Sequence, residues 1–226
     1  MRLILDVENN VTKRGDKLHL DPFEPDNCLV MVGMKTDNWE RVVTFEHSTE
    51  PPTPNGFNIV QEQLDKTTVL VCHNVAHDLI WLWESGFKYD GIVFDTMLGE
   101  YVLQRGQKQP LSLEQCAERY NLDTKKQDTL KEYFKSGTSV SDIPHDELKE
   151  YLLHDLRATF SLANKIHHRF MNGDSDLFDT VTHTNMVAVC LCKIYARGFK
   201  VDLDKLEDVR KEFEKEKQDI IRELGQ

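Results

Sequence analysis

The stretch Thr67–Cys72 (TTVLVC) is apolar and β-branched and too short for a helix, so it reads as a strand buried on both faces. It stops at Asn74, a good N-cap residue, and the spacing predicts a helix from Val75 to Ser85 with Gly86 as its C′ residue. A buried strand running straight into a helix points to an α/β architecture, with the helix covering a sheet.

The rest of the chain fits that frame. Residues Arg2 to Val7 alternate with a period of two, placing Leu3, Leu5 and Val7 on one face and Ile4, Asp6 and Glu8 on the other. Cys28–Met34 and Arg41–Phe45 flank the turn-forming Thr36-Asp37-Asn38, a hairpin signal. Between Asn9 and Asn27 the chain is polar and reads as a loop, with a short strand near Leu18, and a second loop spans Ser48 to Gly56. Later segments are helical: Asp95 to Gln104, then a capping-box pattern at Ser112–Gln115 opening a helix to Tyr120. From Asp146 to Phe170, Leu148, Leu152, Leu156, Thr159, Ala163 and Ile166 fall on one stripe, which predicts a core helix. After a break at Asn172-Gly173-Asp174 comes a helix ending at Arg197-Gly198, and Asp202 caps a charged final helix, Leu203 to Leu224.

With 226 residues the chain has room for one good core and a smaller appendage. No window approaches the roughly 20 apolar residues that cross a bilayer, and the start lacks a signal-peptide pattern, so a cytoplasmic, non-membrane protein is expected. The five cysteines show no CxxC spacing and read as reduced thiols, mostly in the core. A net charge of −11 argues against gripping duplex DNA through a basic face. It is compatible with an acidic site that binds cations, which then meet a phosphate.

Three short patterns carry candidate chemistry. Asp6 and Glu8, two apart on a strand, project from the same face near its carboxyl end. Asp78 falls in the first turn of a helix that follows a buried strand, where an acid is as often a partner of the helix dipole. Tyr151 and Asp155, four apart on a helix, share a face beside the leucine stripe, where an acid pays for desolvation unless it is paired or binds metal.

In the order D-x-E, N-x-x-H-D and Y-x-x-x-D, these residues resemble the three exonuclease motifs of the DEDD superfamily, in its tyrosine branch. Between the motifs, Gly91–Leu98, Tyr101–Leu103 and Leu111–Leu113 look like the proofreading domain of family A DNA polymerases, and Met186–Asp202 resembles the passage into the polymerase thumb. The chain departs from that family in having His77, where Tyr or Phe is usual, before Asp78. No polymerase motif follows within the 226 residues, and a first motif at residue 6 fits phage-type polymerases, hence a host cytoplasm.

The resemblance implies an RNase H-like mixed five-stranded sheet flanked by helices at residues 1–175, with a helical extension at 176–226. It implies a 3′-to-5′ exonuclease acting on single-stranded DNA 3′ ends, as a monomer associated with a polymerase domain or subunit. Asp6, Glu8, Asp78 and Asp155 would hold two divalent cations, Mg²⁺ or Mn²⁺, while Tyr151 and Glu8 would orient the attacking water. Asn74 and Val11 would lie along the terminal nucleotides, Asn74 being otherwise simply the N-cap. Lys13, Arg14, Arg105, Lys108, Lys125 and Lys126 are candidate phosphate contacts or solvated surface, and Trp81 and Trp83 read as helix core. His154 is assigned no catalytic role. The alternatives are an RNase D-like exoribonuclease sharing the same five residues, and a non-catalytic exonuclease-fold module that docks a polymerase.

Overall fold

A computed structural model of the chain describes residues 1–14, 17–18, 21–122 and 128–225. The strands are β1 (Arg2–Asn10), β2 (Lys13–Arg14), β3 (Lys17–Leu18), β4 (Cys28–Lys35), β5 (Glu40–Thr44), β6 (Val69–Cys72) and β7 (Ile92–Asp95). Five of them form a mixed sheet in the order β5-β4-β1-β6-β7, and β2 and β3 pair separately. β1 runs antiparallel to β4 and parallel to β6, so the sheet changes sense along β1. β5 is antiparallel to β4, and β7 is parallel to β6. The helices are α1 (Gly56–Asp65), α2 (Val75–Glu84), α3 (Thr96–Leu103), α4 (Leu113–Arg119), α5 (Asp128–Ser136), α6 (His145–Asn172), α7 (Phe178–Arg197) and α8 (Leu203–Leu224).

The alternation along β1 sorts the core into two layers. Leu3, Leu5 and Val7 pack with Val60 and Leu64 of α1 and Leu79 and Leu82 of α2. On the opposite face Ile4 packs with Leu156 and Ala163 of α6, and Val30 and Met31 pack with Leu148 and Leu152. All six residues of the expected α6 stripe are buried, and each fully buried leucine contributes about 1.5–3 kcal/mol. Gly33 lets α6 come close: a Cβ there would sit 2.8 Å from both Leu152 Cγ and Leu156 Cδ1.

Two elements differ from the sequence reading. The fifth strand of the sheet is β7, and the helix expected from Asp95 begins after it, at Thr96. Four residues are too few to display a period. β7 is recognisable in the fold because Tyr89, whose hydroxyl donates to Ile92 O (2.7 Å) and accepts from Leu70 N (3.1 Å), ties it to β6. Helix α1 follows the expected loop without a side-chain N-cap, since Asn55 is left-handed (φ 57). It is held by burial of Gly56, Val60 and Leu64.

By internal contacts the chain forms two compact units, Met1–Cys192 and Lys193–Gln226. The second carries α8, capped by Asp202 through Lys205 N (3.0 Å), with Leu203, Phe213 and Leu224 exposed. Among the described residues no helix is long and apolar enough to cross a membrane. Cys72, Cys116 and Cys192 are buried free thiols, Cys28 is half-buried and Cys190 exposed.

Candidate active site

Asp6 lies opposite Gly33 and Glu8 opposite Met31 across the β1–β4 ladder, whose register breaks between Glu8 and Asn9. The break ends the strict alternation just past the second acid. The close approach allowed by Gly33 brings α6, with Tyr151 and Asp155, to this end of β1. The Asp6 carboxyl is pushed up to about 7, first by burial and then by the charge of Asp155, against a hydrogen bond that Val7 N–H donates to its Oδ1 (3.1 Å). Burial, then the charges of Asp6 and Asp155, drive the Glu8 carboxyl well above the usual range.

The Tyr151 phenol faces the Asp155 carboxylate, which the i, i+4 spacing puts on the same side of α6 and which acts on it as a hydrogen-bond acceptor. Burial raises the phenol pKa far above its ordinary value, and Asp155, Glu8 and Asp6 add to the rise. Tyr151 is therefore a neutral donor at any physiological pH. His154 Nδ1 stands 3.5 Å from Asp155 Oδ1, so this histidine, assigned no catalytic role from its spacing, touches the group.

Asp78 is buried at the start of α2, and neither of its carboxylate oxygens has a hydrogen-bond partner of normal geometry. The Cys72 thiol and the Val7 amide, the latter committed to Asp6, favour its ionised form without closing such a bond. Burial, Asp6 and Asp95 together hold its carboxyl well above the usual range. Asp6, Glu8, Asp78, Tyr151 and Asp155 thus form one electrostatically linked group. Among the described residues no three His, Cys, Asp or Glu side chains converge in chelating geometry. What the site offers a hard cation is an all-oxygen donor set, with two orphaned, buried oxygens on Asp78.

The turn before α2 corrects one expectation. Asn74 occupies the N-cap position but is left-handed (φ 75, ψ 58) and makes no side-chain cap bond. The capping group is Asp95, at the end of β7, which accepts from Asn74 N and Val75 N (both 3.0 Å) and from Met97 N (2.8 Å). The Asn74 side chain is exposed, while Val11 is half-buried against the core. His73 Nε2 lies 2.9 Å from Leu111 O, and because a carbonyl only accepts, that nitrogen carries the proton. Its Nδ1 lies 2.9 Å from the Thr96 hydroxyl, which donates to Cys72 O (3.1 Å). His77 Nε2 pairs with Asn9 Nδ2 (2.8 Å), so the residue before Asp78 is held to β1 by a polar contact and accepts the amide proton.

Of the other candidates, Arg105 is engaged by Asp174 and Asp176. Trp81 is buried in the core and Trp83 packs against it. The side chains of Lys13 and Arg14, and all of Lys125 and Lys126, lie outside the described residues. Asp95 escaped the sequence reading, although an acid that closes the apolar run Ile92-Val93-Phe94 and precedes a helix has the pattern of a cap.

A family model described as 3′-5′ exonuclease matches residues 24–170, a span that includes Asp78, Tyr151 and Asp155 and begins after Asp6 and Glu8. The chain is 27% identical over 138 residues to DNA polymerase I of Synechocystis sp., an alignment covering 61% of this chain but 14% of that protein. The POL domain of Pol1 from M. smegmatis, in complex with DNA primer-template and dNTP, superposes with a TM-score of 0.67 at 17% identity, covering 96% of this chain and 32% of that one. Brucella melitensis NrnC with bound Mg²⁺ gives a TM-score of 0.61 at 17% identity, with 89% and 88% covered. At such identities the two structures establish the fold, which is the RNase H-like arrangement of helices about a mixed five-stranded sheet.

Proposed function

The chain belongs to the 3′-5′ exonuclease family, and from that premise we propose that it removes nucleotides from single-stranded DNA 3′ ends by cation-dependent phosphodiester hydrolysis. The observation that carries this reading is the linked group itself: Asp6 on a strand feels Asp155 and acts on Glu8, on Asp78 at the start of one helix and on Tyr151, which with Asp155 lies on another.

Asp6, Glu8, Asp78 and Asp155 would hold two divalent cations, Mg²⁺ or Mn²⁺; the donor set is all oxygen, and Mg²⁺ accompanies the similarly folded Brucella protein. When bound, such cations supply positive charge that activates water and offsets the charge on the phosphate. The residues then divide the remaining work. Tyr151 keeps its proton and directs it at Asp155, which fixes that carboxylate and leaves the phenol oxygen to accept from the attacking water. Glu8, with Tyr151, would orient that water for in-line attack. The exposed, uncommitted Asn74 side chain and half-buried Val11 are the proposed contacts to the terminal nucleotides. The pattern Tyr151–Asp155 supports reading the chain as a member of the tyrosine branch. The polymerase-like relatives support an association with a polymerase, with residues 176–226 as a helical extension beyond the exonuclease domain.

Digestion of 5′-labelled DNA and RNA oligonucleotides, with Mg²⁺ or Mn²⁺ or with chelator, tests this. Stepwise shortening of DNA from the 3′ end, abolished by chelator and by Asp6→Ala, is the expected result. Activity unchanged in Asp6→Ala overturns the site, and a preference for RNA moves the assignment to the RNase D type. Metal binding without hydrolysis of either substrate leaves a docking module.

A further inference from the structure

Asp78 sits in the first turn of α2 with both carboxylate oxygens buried and lacking hydrogen-bond partners. No bond of normal geometry made by its side chain sets its direction, so its orientation is inherited from the helix that carries it. A helix begins with backbone N–H groups that need outside acceptors, and here the N-cap side chain accepts from none of them, only the Asn74 carbonyl accepting, from His77 N (2.9 Å). Asp95, on a different strand, accepts from the first of them, Val75 N–H, and from Asn74 N–H. Its Oδ1 accepts from Asn74 N (3.0 Å) and Met97 N (2.8 Å), and its Oδ2 from Val75 N (3.0 Å), so one carboxylate holds the starts of both α2 and α3. The Asp95 backbone is pinned in turn: its N–H donates to Asn185 Oδ1 (2.7 Å), and buried Asn185 donates through Nδ2 to Val181 O (2.8 Å) within α7.

We propose that Asp95, anchored to α7 by Asn185, is a positioning residue for Asp78, capping α2 from β7 and so fixing where that helix presents the Asp78 carboxylate to a divalent cation. The inference rests on the proposed role of Asp78 as a cation ligand. A cap from outside also releases the Asn74 side chain from that duty and leaves it at the surface beside the site. The isosteric change Asp95→Asn replaces one acceptor oxygen with an N–H₂ that faces backbone donors, which loosens the start of α2. It also removes a charge near Asp78. Asn185→Ala breaks the anchor and leaves that charge in place.

The test is Mn²⁺ binding to the full chain, followed by the electron paramagnetic resonance signal of the free ion, with circular dichroism to establish folding. Asp78→Ala identifies the binding that depends on Asp78. Asp95→Asn is expected to weaken that binding by roughly 10- to 100-fold, the usual effect of losing a group that orients a ligand, and Asn185→Ala to weaken it by less. Unchanged Mn²⁺ affinity in both folded variants overturns the proposal while leaving the exonuclease reading intact. Weakening in Asp95→Asn with none in Asn185→Ala also overturns it, since charge alone then explains the loss. If Asp95→Asn does not fold, Asn185→Ala decides. A wild-type chain that binds no Mn²⁺ overturns both this inference and the reading it rests on.

Discussion

Tyr151 and Asp6 show what a single side chain contributes. Removing the phenol hydroxyl in Tyr151→Phe unties the Asp155 carboxylate without disturbing packing, and the rate on a DNA oligonucleotide should fall by roughly 10- to 100-fold with little change in melting temperature. For Asp6 the prediction concerns pH. Burial and Asp155 push its carboxyl up to about 7 in the fold, against an ordinary value of 3.8. The folded state therefore binds this proton more tightly than the unfolded chain. The resulting stability is fully present below about pH 4 and is lost as pH rises through about 7. Thermal melts of the cation-free protein should show a melting temperature that drops between pH 5 and 8, and this slope should flatten in Asp6→Asn. The acids and the tyrosine were legible because period-two and i, i+4 spacing fix which residues share a face. The conformation of Asn74 was not, because any Asn before a helix looks like a cap.

The approach of α6 to the sheet is decided at the scale of elements. Gly33 has no conformational need to be glycine that the structure displays; its role is spatial, since a methyl there meets Leu152 and Leu156 at 2.8 Å. Gly33→Ala should cost about 1–3 kcal/mol in denaturant unfolding. It should also lower the rate at temperatures where the variant is fully folded, because the helix bearing Tyr151 and Asp155 is displaced from Asp6. A variant that is destabilised but fully active would separate the α6 contact from the site. Amphipathic spacing announced α6 from its leucines alone, and β6 and α2 were marked by composition and punctuation. β7 and α1 were not. The first is short and recruited by Tyr89, the second is stabilised by partners distant in sequence, and neither signal is local.

For the whole molecule the controlling quantity is charge. An overall −11, with Asp78 and Asp155 buried among it, leaves a cation-free chain working against its own repulsion. Mg²⁺ or Mn²⁺ should raise the melting temperature, with stabilisation of about 2.7 kcal/mol at a hundred times the dissociation constant. The rise should be larger at pH 8 than at pH 5, where protons compete for the same oxygens; a melting temperature indifferent to millimolar divalent ion counts against the site. The sequence by itself determined the α/β class, the order of most elements, and which acids lie on which faces, because periodicity and capping are properties of neighbouring residues. Only the tertiary structure decided that strand and helix acids act on one another, that the Asp78 oxygens are left without a hydrogen bond of normal geometry, and that Asp95 rather than the Asn74 side chain caps α2. Those facts depend on residues 20 to 150 positions apart meeting through the sheet order and the space left at Gly33, and no local pattern in the chain encodes such a distance.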